Sequence, residues 1–272
     1  MATLICFSIF LFGLAVGSFL NCVIYRLETD QSFLRGRSLC PYCRHILSWQ
    51  DLIPLLSFFI LRGKCRYCQK SISFQYPLVE MATGLLFLLI FNFFIPLDMK
   101  LSNGTIFNFL DLIYYWIISC FLIIIFVYDL KHYIIPDKVV SPAIVITFLY
   151  NIFYSLFVVH NSKFLIQFLF SAFGAAAFFL LFILISRGAW MGGGDVKLVF
   201  LMGLVLGWPN IFVALFLTFL IGAIIGVDLI LLGKKTLKSE IPLGPFLVFG
   251  TFIALFWGGP LINLYLDLIN LG

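Results

Sequence analysis

Residues 105–128 read TIFNFLDLIYYWIISCFLIIIFVY, and Asp129 follows. A run of this length with one acid near its start meets the requirement of about 20 apolar residues for a helix to cross a bilayer. Comparable runs occupy 4–24, 77–97, 139–159, 164–186, 198–208, 211–232 and 244–270. The run at 198–208 is short and stops at Trp208-Pro209-Asn210. It reads either as a short span or as half of a helical hairpin. The 272 residues are 63% hydrophobic and 11% charged, far below the roughly 25% charge of soluble domains. In a bilayer the backbone must satisfy its own polar groups, and long apolar runs without alternation point to helices rather than a β-barrel. The expected fold is therefore an all-α multi-span membrane protein with about eight transmembrane helices.

Charge sets the orientation. If the first run passes from outside to inside, the loops at 25–76, 129–138, 187–197 and 233–243 are cytoplasmic. They hold 15 of the 17 Lys and Arg, leaving only Lys100 and Lys163 outside. Such asymmetry is the positive-inside pattern. Met1 to Gly17 contains no basic residue, so the charged n-region of a signal peptide is missing and a retained first helix with its N-terminus outside is expected. The stretch 26–70 carries eight basic and three acidic residues, a net +5 equal to that of the whole chain. Without interleaved aromatics this is a topology signal that can also meet anionic lipid headgroups, not a nucleic-acid footprint. Small-xxx-small spacings at Gly13/Gly17, Gly203/Gly207 and Gly222/Gly226 read as helix-packing positions. No internal repeat is visible in the sequence.

The basic stretch contains Cys40-Pro41-Tyr42-Cys43 and Cys65-Arg66-Tyr67-Cys68. Two such turns offer four thiolates, the ligand set of a closed, structural zinc site. An insert this small cannot bury a sizeable core, so a metal staple has a physical purpose. Redox pairs and disulfides are the competing readings, the latter disfavoured in a reducing cytoplasm. Cys6, Cys22 and Cys120 lie in apolar helices and read as packing residues. His45 lies between the cysteine pairs, His132 follows Asp129 by three residues, and His160 reads as a loop residue.

Asp129 closes its helix, and Asp195 follows Gly192-Gly193-Gly194. Counting spans puts both carboxylates at the cytoplasmic face. If they meet, they cannot both ionise easily. One then keeps a proton while the other accepts one, as water activation in aspartic proteolysis requires. A helix C-terminus at Asp129 and an N-terminus at Asp195 would favour the proton on Asp129. The plainer readings are that Asp195 is an N-cap, that Asp129 is an interfacial acid, and that Asp137 caps the fourth helix. Two other classes compete. A proton-coupled transporter would place its acids near mid-membrane and show repeat symmetry, whereas a zinc-stabilised assembly scaffold would need no acid pair.

The residues around these sites resemble the type IV prepilin peptidases, or leader peptidase/N-methyltransferases. The matching strings are GSFLNCVIYRL at 17–27, both Cys pairs with Ile53-Pro54-Leu55 between them, SFQYPLVE at 73–80, DLKHYIIPD at 129–137, GGGDVK at 192–197 and PLGPF at 242–246. Cys22 and Glu28 stand where the family usually has Val and often has Pro. The resemblance implies an inner-membrane, Gly-x-Gly-Asp aspartyl protease with catalytic Asp129 and Asp195; Asp137 is in the motif but outside the water-activating pair. It implies prepilin or type II secretion pseudopilin substrates, cut after a glycine at the cytoplasmic face, and methylation of the new N-terminus from S-adenosylmethionine. Zinc would be held by Cys40, Cys43, Cys65 and Cys68. Gly192, Gly193, Gly194, Lys197, Pro242, Gly244 and Pro245 would border the cleft, and Glu80 and Gly84 fall in the region linked to methyl transfer. The implied domains are a first helix at 1–25, a cytoplasmic four-cysteine zinc domain at 26–76 and a protease domain at 77–272. Pro242 and Pro245 are expected to keep the last segment's entry from being regular helix. No Gly-rich Rossmann fingerprint occurs, so a methyl-donor site would be unconventional.

Overall fold

The computed structural model describes residues 2–29, 31–32, 36–95, 105–188, 191–236 and 239–270. Lys100 and residues 96–97 of the second apolar run lie outside the described residues. The helices are α1 (Ala2–Glu28), α2 (Leu56–Ile60), α3 (Gln75–Phe94), α4 (Thr105–His132), α5 (Asp137–Tyr154), α6 (Ser162–Ser186), α7 (Gly193–Leu206), α8 (Asn210–Leu231) and α9 (Gly244–Asn270). Seven of them are long and apolar enough to cross a bilayer, and the chain is an all-helical multi-span membrane protein. The short sixth run, at 198–208, forms α7, whose 14 residues make about 21 Å of helix, short of a 30 Å hydrocarbon core. Contacts divide the chain into two compact units, Met1–Ile124 and Ile125–Gly272, with α4 leading from the first into the second.

In the first unit α1 and α3 pack antiparallel. Contacts move back along α3 as they move forward along α1. The Asn21 amide donates to Tyr76 O at 3.0 Å, Gly17 lies on Glu80, and Gly13 lies on Gly84. A Cβ on Gly13 or Gly17 would come within 2.7 Å of the opposing Cα. The Gly13/Gly17 spacing thus lets two backbones touch, as small residues do between membrane helices. Trp116 of α4 stacks on Phe87 at 4.9 Å and donates its indole N–H to Phe87 O.

The segment between α1 and α3 folds around its cysteines as two matching knuckles. In one, Cys40 N–H donates to His45 O and Arg44 N–H to Cys40 O. In the other, Cys65 N–H donates to Lys70 O and Gln69 N–H to Cys65 O. Arg44 and Gln69 both take φ of +57°, and single bridges join Leu39 to Ile46 and Lys64 to Ser71. The two knuckles therefore repeat a backbone pattern that the sequence does not display as a repeat. The pattern surrounds each Cys-x-x-Cys, and few side chains besides the cysteines and a tyrosine recur.

In the second unit α7 is the buried helix, with Leu198, Val199, Leu201, Met202, Leu204 and Val205 all enclosed by α5, α6, α8 and α9. Gly203 packs directly on the Ala172 backbone of α6. Gly207 ends α7 at φ +66°, a conformation glycine adopts without steric cost. Gly222 and Gly226 meet only ordinary side-chain contacts, Phe246 and Ile241 at 3.6 and 3.7 Å, so this third spacing is not a close crossing. The Asn151 amide of α5 donates to Leu204 O at 2.9 Å, satisfying a carbonyl that the end of α7 leaves open.

Candidate functional site

The end of the second unit where α4 stops and α5, α7 and α9 start gathers the polar residues. Asp129 sits one turn before the end of α4 and is 4% exposed. Its Oδ2 accepts the Gly244 N–H at 2.9 Å. Gly244 is the first residue of α9, and its N–H is one that a helix leaves without an internal partner. A Cβ at 244 would lie 2.5 Å from Asp129 Oδ2, so only glycine admits the carboxylate here.

Asp195 is in the first turn of α7. Its Oδ2 accepts the Gly192 N–H at 3.1 Å, making half of a capping box in which glycine supplies no reciprocal side chain. Asp195 is thus the third residue of the helix, and Gly192 is the N-cap. Burial pushes the Asp195 carboxyl up to about 6; the Gly192 N–H works against this, and the nearby Asp129 charge adds to it. The two acids therefore come together within electrostatic reach from separate helices. The helix-end asymmetry anticipated from sequence is offset. Asp129 does lie near a C-terminus, but the first N–H of α9 meets it, so each carboxylate receives a donor from the start of a helix.

The glycine turn explains the approach. A Cβ on Gly194 would sit 3.0 Å from Ile135 Cβ, whereas one on Gly193 would meet nothing within 4 Å. The third glycine lets the Asp195 turn press against the segment after Asp129, and the second is open. Lys197 Nζ pairs with Asp137 Oδ1 at 2.7 Å, both side chains largely exposed. Asp137 was expected as a cap. It is instead the first residue of α5, with Pro136 as N-cap, and its carboxylate ties α5 to α7. Sequence reasoning missed this pair, although opposite charges in adjacent motifs were the available signal. Pro242 lies in the loop before α9, but Pro245 lies inside the helix. That corrects the expected irregular entry: a first-turn proline lacks an N–H the helix does not use.

In the first unit, the four cysteine Sγ atoms all lie within 4.8 Å of one another, with Cys40 and Cys68 at 3.9 Å. Bonds of 2.3 Å to a tetrahedral ion would set sulfurs roughly 3.8 Å apart, so the cluster fits a four-sulfur metal site. Burial opposes ionisation of Cys40, but the N–H groups of Cys43 and Tyr42 outweigh it and hold that thiol down to about 7. Between the knuckles, the Asp51 side chain is only 3% exposed. Its desolvation is outweighed by hydrogen bonds from Ser48 and Arg66, which lower its pKa. The His45 and Tyr67 rings meet at a 33° tilt with centroids 3.7 Å apart.

Glu80 and Gly84 are both buried in α3. Glu80 Oε2 accepts the Leu55 N–H at 2.8 Å, fastening the cysteine segment to α3 at a residue whose φ is +59°. A Cβ on Gly84 would meet Phe10 at 2.9 Å and Leu14 at 3.0 Å. Each residue thus has a visible packing or anchoring contact.

Residues 11–94 match the bacterial peptidase A24 N-terminal domain, and residues 116–227 match the type IV leader peptidase family. A protein of Aeromonas hydrophila described as prepilin leader peptidase/N-methyltransferase is 32% identical over 95% of this chain and 92% of its own. Proteins of the same description from Bacillus subtilis strain 168 (32% identical, 96% and 97% covered) and Pseudomonas aeruginosa (31%, 94% and 92%) are similarly related. No solved structure is significantly similar. Similarity of this extent, reaching both units and nearly the full length of each relative, shows that the chain belongs to the type IV leader peptidase family.

Proposed function

We propose that this chain removes the basic leader of type IV prepilins or type II secretion pseudopilins, cutting after a glycine, and methylates the exposed N-terminal residue. The observation that carries the peptidase reading is the meeting of Asp129 and Asp195 at one end of the second unit, each with a backbone donor. Water held between the carboxylates loses a proton to the ionised one while its oxygen attacks the scissile carbonyl carbon. The protonated partner gives its proton to the carbonyl oxygen, and collapse to the new carboxyl group expels the amine, which takes up a proton. The pair titrates as a unit. Acids at the bundle's end suit a substrate whose apolar helix lies in the bilayer and whose cut site emerges at the headgroups. Gly192, Gly193, Gly194, Lys197, Pro242, Gly244 and Pro245 would border that cleft. The transporter and scaffold readings have no comparable support.

The methyl-transfer part is supported by the relatives' descriptions. S-adenosylmethionine would be the donor, with Glu80 and Gly84 in the region concerned. Cys40, Cys43, Cys65 and Cys68 would hold zinc, which would staple the segment at 26–76 as a small domain beside the first helix at 1–25 and the protease part at 77–272. The 15 basic residues in four alternate loops support an inner-membrane orientation with the N-terminus periplasmic and both the zinc segment and the acids cytoplasmic.

Intact mass of a co-expressed prepilin tests this reading. Wild type should yield shortened pilin bearing one methyl increment, and Asp129→Asn or Asp195→Asn should leave full-length prepilin. Continued cleavage by both folded variants would overturn the acid-pair mechanism.

A further inference from the structure

The cysteine segment exposes large apolar side chains outside the seven spans. Trp49, Leu56, Phe59, Ile60 and Phe74 are 58–73% exposed. Leu56, Phe59 and Ile60 of α2 fall at i, i+3 and i+4, one face of a helical turn. Phe58, on the opposite side, is half-buried, and its ring lies 5.4 Å from that of Phe74. Beside this face stand Arg62 and Lys64, both exposed, in a stretch whose net charge is +5.

The depth of this turn is fixed by a hydrogen bond. Leu55, immediately before α2, donates its N–H to Glu80 Oε2 at 2.8 Å. Glu80 is five residues into α3, about 7–8 Å along its axis from Gln75. The 20 residues of α3 make about 30 Å of helix, equal to the hydrocarbon thickness. With α3 spanning the core, a turn bonded at that level would lie about 7–8 Å inside the core boundary, the depth at which interfacial helices bury their apolar face, not in the water beyond it.

We propose that α2 is an interfacial foot: Leu56, Phe59 and Ile60 insert into the bilayer edge, and Arg62 and Lys64 meet anionic headgroups. Continuity of the segment with α1 and α3, its depth, and its charge favour lipid over a protein occupant. The proposal does not depend on the peptidase reading.

The test uses the full chain in nanodiscs, with a benzoylphenylalanine photoprobe placed singly at Phe59, Ile60 or, on the second knuckle, Gln69. Irradiation should give lipid adducts by intact mass at 59 and 60 and none at 69. Yield should be at least twofold higher in phosphatidylglycerol than in phosphatidylcholine, an excess that Arg62→Gln with Lys64→Gln should remove. Adducts at 59 and 60 to a second copy or to added prepilin peptide, no lipid adduct at either, or equal yields at Gln69 would overturn the insertion. Equal yields in the two lipids would overturn the headgroup contact.

Discussion

The Gly244 N–H donates to Asp129 Oδ2 at 2.9 Å across 115 residues of sequence. This bond places the first turn of α9 against the acid at the end of α4 and leaves no room for a side chain at 244. It ties the start of the last helix to the acid pair.

Gly244→Ala should displace Asp129, because the added Cβ would lie 2.5 Å from Oδ2. Prepilin cleavage should fall at least about tenfold, a barrier change near 1.4 kcal/mol, with helical content retained. Initial cleavage rates with circular dichroism on the same samples check this. A rate equal to wild type would mean the carboxylate's present position is not required.

The glycine turn separates into tolerant and intolerant positions. Gly193→Ala meets open space and should leave cleavage within about twofold of wild type, whereas Gly194→Ala drives a Cβ to 3.0 Å from Ile135 and should cost about tenfold or more. Comparison of the two single variants in one assay controls for the loss of glycine itself.

Asp195 supplies a pH test. Its folded-state pKa is raised, from 3.8 to about 6, so the folded protein holds that proton more tightly than the unfolded chain. Stability contributed by the protonated form is full below about pH 4 and is lost as pH rises through about 6. Asp195→Asn carries no such titration. Relative to the variant, wild type should therefore lose on the order of 1–2 kcal/mol between pH 4 and 6.5, allowing for the carboxyl's partial exposure. Thermal unfolding of both proteins across that range reads the difference. A constant gap, or one of opposite sign, would contradict the assigned environment.

Metal content is the fourth test. Purified protein should hold about one equivalent of zinc, and Cys40→Ser or Cys65→Ser, at buried ligands, should abolish it. Because the segment has little core of its own, metal loss should also lower its protease resistance. Metal-free protein with the segment still resistant would refute the staple.

The membrane class, the eight apolar helices to within a few residues, and the cysteines and acids of interest were all legible in the residues alone. Each of these is written locally: apolar run length sets a span, Cys-x-x-Cys sets a knuckle, and glycines before an acid set a helix start. The conformations of the segment between the knuckles were not legible, nor was the repetition of their backbone pattern, because hydrogen bonding rather than residue identity carries it. It took the folded molecule to show that Asp129 accepts the first N–H of α9, that Gly194 and not Gly193 is pressed against Ile135, that Asp137 pairs with Lys197, and that Glu80 anchors Leu55. Those contacts join residues 25 to 115 positions apart. No local periodicity encodes which helix start will face which helix end; close packing of the assembled bundle does.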